Sequence, residues 1–288
     1  MTKGDTVPEE RFEEHRRHLR AVAYRMLGSL AEADDAVQEA WLRMHRSDVT
    51  DVRNMRGWLT TVVARICLDM LRARSARSEE PLDEAPAIAA DAVDPEAEAV
   101  LADSIGVALL VILQTLSPAE RLAFVLHDMF ELPYAEIAPI VGRTENTAAQ
   151  LAARARRRVR GKTPDPAMDL VRQRRLVDAF LAAAHDGDFD ALLSVLDADV
   201  VLRVDAAAAG TPTTLRGAQT IATNARAFSA NARFAEPALV DGAVGIVVAP
   251  KGKLALVLRF AVAGDKITEI DIDADPQRLS AFELAVLD

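Results

Sequence analysis

The stretch YAEIAPIVGRTENTAAQLAARARRRVR, residues 134–160, holds two runs of helical periodicity joined at Gly142, the pattern of a helix-turn-helix. In the second run Ala148, Leu151, Ala152, Ala155 and Val159 share one face, and side chains this small permit close packing on the first run. Asn146, Gln150, Ala153 and Arg157 lie opposite, with Arg154 alongside. Amides and guanidinium groups on one stripe of a helix can bond to base edges and phosphates in a major groove. Alanine-rich helix pairs also serve purely structural roles, so the spacing alone leaves both uses open. Pro139 removes a backbone donor from the first run and predicts a bend in its last turn.

The end of this stretch, RARRRVRGK at 154–162, packs five arginines and one lysine into a 288-residue chain of formal net charge -10. The excess acid lies elsewhere. Residues 52–77 carry six arginines against Asp69 alone, residues 143–162 carry six arginines and a lysine against Glu145 alone, and residues 79–103 carry nine acids and no base. A polyanion responds to local clusters of cations, so an acidic total does not exclude nucleic acid.

Upstream, Ser117-Pro118-Ala119-Glu120 is a helix start, with Ser117 as N-cap and Glu120 closing a capping box. A helix from about Pro95 to Leu116 precedes it. Residues 79–97 replace periodicity with prolines and acids, a linker composition. Residues 10–46 read as helix broken at Gly28, with Ser29 or Asp34 starting the second segment. That segment puts Val37, Ala40, Trp41 and Met44 on a core face and Asp35, Gln38, Glu39 and Leu42 opposite. A leucine among acids is either an ordinary exposed apolar residue or part of a docking surface for a basic partner. After a loop at 47–54, a helix sets Trp58, Leu59, Val62, Val63, Ile66, Met70 and Leu71 on an apolar face and Thr61, Ala64, Arg65, Leu68 and Arg72 on the other. Its uncompensated arginines favour phosphate contact over a merely solvated face.

Beyond a hinge at 161–169 come a long amphipathic helix, a turn at Asp186-Gly187, a short helix and a strand over 200–204. Strands follow at 243–249, 254–262 and 266–272, an antiparallel meander. Alternation sets Leu254, Leu256, Leu258 and Phe260 on one face and Arg259 on the other. Arg203, Asp205, Asp241, Arg259 and Asp271 are the candidate acid–base groups, but they form no identifiable pair, so catalysis is not expected. Cys67, alone in the chain, reads as a core residue, and the five histidines show no zinc spacing. No cofactor or metal is expected. No apolar run reaches the length of a membrane span and the N-terminus lacks a signal-peptide pattern, so a cytoplasmic protein without membrane contact is expected.

AEADDAVQEAWLRMHR (31–46) followed by RNMRGWLTTVVARICLDMLR (53–72) resembles region 2 of bacterial sigma factors of the extracytoplasmic-function (ECF) type, and the helix-turn-helix resembles region 4 of that family. The resemblance implies core RNA polymerase and promoter DNA as partners. By position it implies polymerase contact for Asp35, Gln38, Glu39 and Leu42, and contact with the -10 element for Arg53, Asn54, Arg56, Arg65 and Arg72. It further implies contact with the -35 element for Asn146, Gln150, Arg154 and Arg157. Trp58, on the apolar face, is expected in the core rather than as a base-stacking platform.

The C-terminal order of elements resembles the SnoaL-like, or NTF2-like, cone. The implied fold is multidomain: an all-α region 2 bundle (8–78), an acidic linker (79–97), an all-α region 4 (98–162) and an α+β cone (168–288). Motifs APIVGRT, QLAARARRRV and DPQRL fit the sigma factor J subgroup, in which a fused cone modulates the sigma domains through intramolecular contacts. The cone leaves room for a small-molecule ligand. DAAAAG, Asp205 to Gly210, stands where the subgroup has a glycine-rich regulatory loop, and the aromatic-Leu-Pro motif of the linker is absent from SARSEEPLDEAP. Two alternatives remain: a ligand-sensing DNA-binding regulator, which has no need of the DDAVQEAWLR stripe, and a cyclase or isomerase with a helical appendage, which turnover would reveal.

Overall fold

The computed structural model describes residues 8–50, 52–78, 106–161, 169–224 and 232–287. The 79–97 linker and most of the hinge lie outside them. Contacts divide the described residues into two compact units, one within 8–78 and 113–156 and the other within 106–112 and 157–287.

The first unit is helical. Helix α1 (Pro8–Leu27) ends at Gly28, whose φ of +76° is the left-handed closure that a glycine accepts without strain. A Cβ there would also come within 2.8 Å of the Gln114 side chain. Ser29 caps α2 (Leu30–Arg46), as one of the two expected starts, and α3 (Met55–Ser78) follows the expected loop. After α4 (Val107–Gln114), whose residues 107–112 belong to the second unit, Ser117 and Glu120 form the expected capping box at the head of α5 (Pro118–Phe124), a device that stabilises by about 1 kcal/mol. A π-turn (Val125–Met129) leads to α6 (Tyr134–Val141), Gly142 at φ +69°, and α7 (Glu145–Arg160). Pro139 sits inside α6 with its ring in solvent.

Helix α3 departs from the expected two-faced pattern. Ala64 and Leu68, expected on the polar side, are buried, because α5 and α6 pack on α3 in addition to α1 and α2. Cys67 is buried as expected, and burial pushes its thiol well above the usual range. Trp58 and Trp41, expected in the core, are instead partly exposed, and Trp41 lies against His45 with ring centroids 4.0 Å apart. Arg121 is buried and donates to the Met26 carbonyl at 2.8 Å, at the negative end of the α1 dipole. Burial, with Arg74 adding repulsion, pushes its guanidinium down to about 10.

The second unit is α+β. Helices α8 (Leu170–Asp186) and α9 (Phe189–Val195) precede a seven-stranded sheet of order β2-β1-β6-β5-β4-β3-β7. Its strands are β1 (Leu196–Val204), β2 (Thr213–Arg216), β3 (Ala235–Val240), β4 (Ala243–Val248), β5 (Leu256–Ala263), β6 (Lys266–Asp273) and β7 (Leu284–Ala285). Short helices α10 (Ala206–Ala209), α11 (Ala218–Asn224) and α12 (Pro276–Ala281) connect them. The meander β4 to β6 is antiparallel as expected and β3 extends it, but β1 runs parallel to β6 and starts at Leu196 rather than Val200. The helix pair delivers β1 to the free edge of the meander in the same direction as β6, which strand-by-strand reading does not disclose. Strands β2, β3 and β7 were not expected, being short or lacking clean alternation.

Alternation gives the sheet two apolar faces. Ile246, Val248, Leu258 and Ile270 face α8, where Phe180 meets Phe260 edge-on at 5.4 Å. Val247 and Val257 point the other way and, with Ala238 and Leu284, pack on Ala108, Val111 and Ile112 of α4. The Glu236 carboxylate accepts the Ala108 amide at 2.9 Å, and the Val286 amide donates to the Val159 carbonyl at 2.9 Å. The segment 107–112 therefore belongs to this core.

His18 lies half-buried in α1. Its Nε2–H donates to Thr60 Oγ1 at 3.1 Å, whose hydroxyl donates to the Arg56 carbonyl, and its Nδ1 accepts from the Arg56 guanidinium at 3.2 Å. This arrangement requires the neutral ring. Burial first, then the charges of Arg56, His15 and Arg25, push His18 down to about 4. The unfolded chain therefore binds more protons between pH 4 and the ordinary histidine value near 6.5, and stability falls as pH is lowered through that window. Denaturant midpoints across this range are expected to drop less in His18→Gln than in the parent chain.

Candidate nucleic-acid interface

Three stripes of polar side chains stand on α2, α3 and α7, each set by burial of the opposite face. On α2, Leu30, Ala33, Ala36, Val37, Ala40 and Met44 are buried. Asp35 and Gln38 are exposed, and Glu39 and Leu42 partly so, in one continuous band. Glu39 is bound to Arg43 at 3.0 Å and Asp34 to Arg20 at 2.7 Å, so part of the acidity of this helix is already compensated. Asp35 and Gln38 bracket Leu42, an arrangement that offers an apolar contact ringed by acceptors.

On α3 the burial of Leu59, Val63, Ala64, Ile66, Cys67, Leu68 and Leu71 occupies about half the circumference. At roughly 100° per residue the rest is a stripe of Trp58, Thr61, Arg65, Asp69 and Arg72. Arg65 and Arg72 are exposed, with Asp69 at 4.0 Å from Arg72. Arg53, Asn54 and Arg56 are exposed at the head of the helix, where Asn54 Oδ1 accepts the Gly57 amide at 2.9 Å and Arg56 is held by His18. Trp58 is the residue that sequence reasoning assigned elsewhere. Its spacing of three, seven and fourteen from Thr61, Arg65 and Arg72 was the available signal; the assumption that tryptophan seeks the core concealed it.

On α7, Ala148, Ala152 and Ala155 are fully buried, so this side of the helix is turned away from solvent. The Thr144 hydroxyl accepts the Thr147 amide at 3.3 Å at its start. Asn146, Gln150, Arg154 and Arg157 are all exposed at spacings of four, four and three, a single stripe that begins at the N-terminal end of the helix. Amides near that end and guanidinium groups beyond it suit base edges and flanking phosphates respectively.

The groups considered for catalysis are engaged in structural bonds. Arg203 pairs with Glu269 and Asp271, and Arg259 with Asp271 and with Asp273, which is almost fully buried and also bound by Arg278. Asp205 caps α10, which Gly210 closes. Burial pushes its carboxyl up, but the amides of Ala274, Asp275 and Ala208 outweigh that and hold it below the usual range. Asp241 accepts the Glu283 amide at 2.9 Å. A cleft of about 650 Å3 beside β1 and α11 is lined by Leu193, Asp197, Gln219, Thr220 and Lys266, whose Nζ donates to the Ser194 carbonyl at 2.7 Å.

The description "Sigma-70 region 2" matches residues 11–77 and "Sigma-70, region 4" matches residues 106–159. The probable ECF RNA polymerase sigma factor SigI of Mycobacterium tuberculosis is 37% identical over 284 residues, 97% of this chain and 97% of that protein. The ECF RNA polymerase sigma factor SigJ of the same organism is 43% identical over 204 residues, covering 67% of this chain and 64% of that one. The crystal structure of M. tuberculosis SigJ aligns over 94% of this chain and 98% of that chain, at 30% identity and a TM-score of 0.46. With the exposed stripes of α2, α3 and α7 inside the two matched regions and a relative similar over nearly its full length, the chain belongs to the family of ECF RNA polymerase sigma factors, which direct the polymerase to promoters.

Proposed function

We propose that the chain docks on core RNA polymerase through Asp35, Gln38, Glu39 and Leu42, engages the -10 element with Arg53, Asn54, Arg56, Arg65 and Arg72, and reads the -35 duplex with Asn146, Gln150, Arg154 and Arg157. One observation carries the reading: the exposed α7 stripe lies opposite the buried alanines of a helix-turn-helix. Trp58 joins the -10 surface as the aromatic on which an unpaired base stacks, between cations that follow the backbone. The chain acts in the cytoplasm and makes no bonds itself, in keeping with the structural engagement of Arg203, Asp205, Asp241, Arg259 and Asp271. The working divisions are 8–78, the 79–97 linker, 98–162 and 168–288, with the last tuning the -35 half.

Support for that tuning comes from the core that α4 and Val159 share with the sheet. The cleft near Lys266 is where a small ligand would enter the same device.

Run-off transcription with purified core polymerase tests the reading: transcripts from a defined start are expected, and their absence with active core sinks it. Arg154→Ala is expected to weaken holoenzyme binding to promoter DNA and to reduce the slope of log affinity against log salt by about one, because a lost phosphate contact releases one counterion fewer. Glu236→Ala leaves the buried Ala108 amide without its acceptor; a stability loss of about 1–3 kcal/mol in thermal unfolding is expected, with altered promoter output. Output unchanged despite that loss would argue against a tuning role for the α+β unit.

A further inference from the structure

The arginines at the end of α7 are not equivalent. Arg154 and Arg157 belong to the exposed stripe, whereas Arg156 lies roughly a third of a turn from its centre and is partly buried. One terminal nitrogen of Arg156 donates to Asp128 Oδ1 at 2.9 Å and the other to the Tyr134 hydroxyl at 3.3 Å. Asp128 sits in the π-turn before the helix-turn-helix and Tyr134 is the first residue of α6. The Tyr134 ring stacks on His127 at 3.9 Å with the planes 24° apart, and His127 Nδ1 bonds the Leu132 carbonyl at 2.9 Å. The π-turn thus supplies two successive residues, one bracing the head of α6 and the other gripping α7.

The buried side of α7 does not by itself fix the rotation of the helix well. Ala148, Ala152 and Ala155 present a smooth surface of methyl groups, and packing of this kind is non-directional. A rotation of about 20° about the helix axis moves a side-chain tip at roughly 6 Å radius by about 2 Å, more than a base-edge hydrogen bond tolerates. A planar guanidinium held at both ends resists that rotation, because its two bonds have fixed directions.

We propose that Arg156 is a positioning residue rather than a DNA contact, and that its bonds to Asp128 and Tyr134 set the rotation of α7 on which -35 sequence discrimination depends. The proposal rests on the reading of α7 as the -35 helix and names residues outside that stripe.

The test uses the full chain assembled with core polymerase. A preferred -35 sequence is selected from a randomised library, and binding of that duplex and of single-base variants is measured across a salt series. Arg156→Gln and Asp128→Asn are expected to lower the preferred-to-altered affinity ratio at least threefold with the salt slope unchanged, and Tyr134→Phe to lower it less. Joining Asp128→Arg to Arg156→Asp is expected to bring the ratio back within twofold of the parent. A ratio is insensitive to the fraction of protein folded, so a merely structural role would leave it unmoved, and that outcome overturns the proposal. A slope reduced by about one in Arg156→Gln overturns it as well, by making Arg156 a phosphate contact. If the parent chain shows no -35 preference and Arg154→Ala changes nothing, the underlying reading of α7 fails and the clamp falls with it; a parent preference with no effect of Arg156→Gln refutes the clamp alone.

Discussion

Burial of small and apolar side chains on one side of α3 and of α7 is the constraint on which the candidate surfaces depend. Ala148, Ala152 and Ala155 are fully buried along one side of α7, and α3 is buried over half its circumference by α1, α2, α5 and α6. Full burial of each large aliphatic residue in that arc, such as Leu59 or Leu68, contributes roughly 1.5–3 kcal/mol. Rotating either helix to bury its arginines would forfeit that and strand cations in an apolar interior. The exposed stripes are thus what remains after the core is satisfied, and their position is as fixed as the core itself.

Electrostatics then distinguishes among the residues left outside. Arg74, Arg20 and Arg43 are bound to Glu32, Asp34 and Glu39, and Arg156 to Asp128, so these cations serve the fold. Arg53, Arg65 and Arg154 stand exposed on the surfaces proposed for the -10 and -35 elements. Phosphate binding depends on this local division rather than on the net charge of -10, which reflects acids concentrated in other segments. His18 shows the same economy inside the fold, since its neutral ring supplies the acceptor that orients Arg56.

The α+β unit has an unusual requirement. A sheet with one wet face would alternate apolar and polar residues, yet β4 and β5 carry apolar side chains on both faces. Helix α8 covers one face and α4 part of the other, while the uncovered strip toward β1 is occupied by the Arg203–Asp271–Arg259–Asp273 ladder. Residues 107–112 of α4 lie within the matched region 4 and also in the core of the sheet, the observation from which the regulatory coupling is proposed.

The sequence by itself determined the features that are local. Periodicity located α1, α2 and the helix-turn-helix, Gly28 and Gly142 marked the breaks, the Ser117–Glu120 box marked a helix start, and the Asn146–Arg157 stripe could be counted along a single helix. Only the tertiary structure decided which side of α3 stays in solvent, and so that Trp58 stands beside Arg65 while Ala64 and Leu68 do not. It also decided that β1 runs beside β6, that α4 covers the sheet, and that Arg156 turns inward while Arg154 does not. Helical and strand periods report the geometry of one segment, whereas burial is a property of two segments meeting, and residues far apart in sequence determine which faces meet.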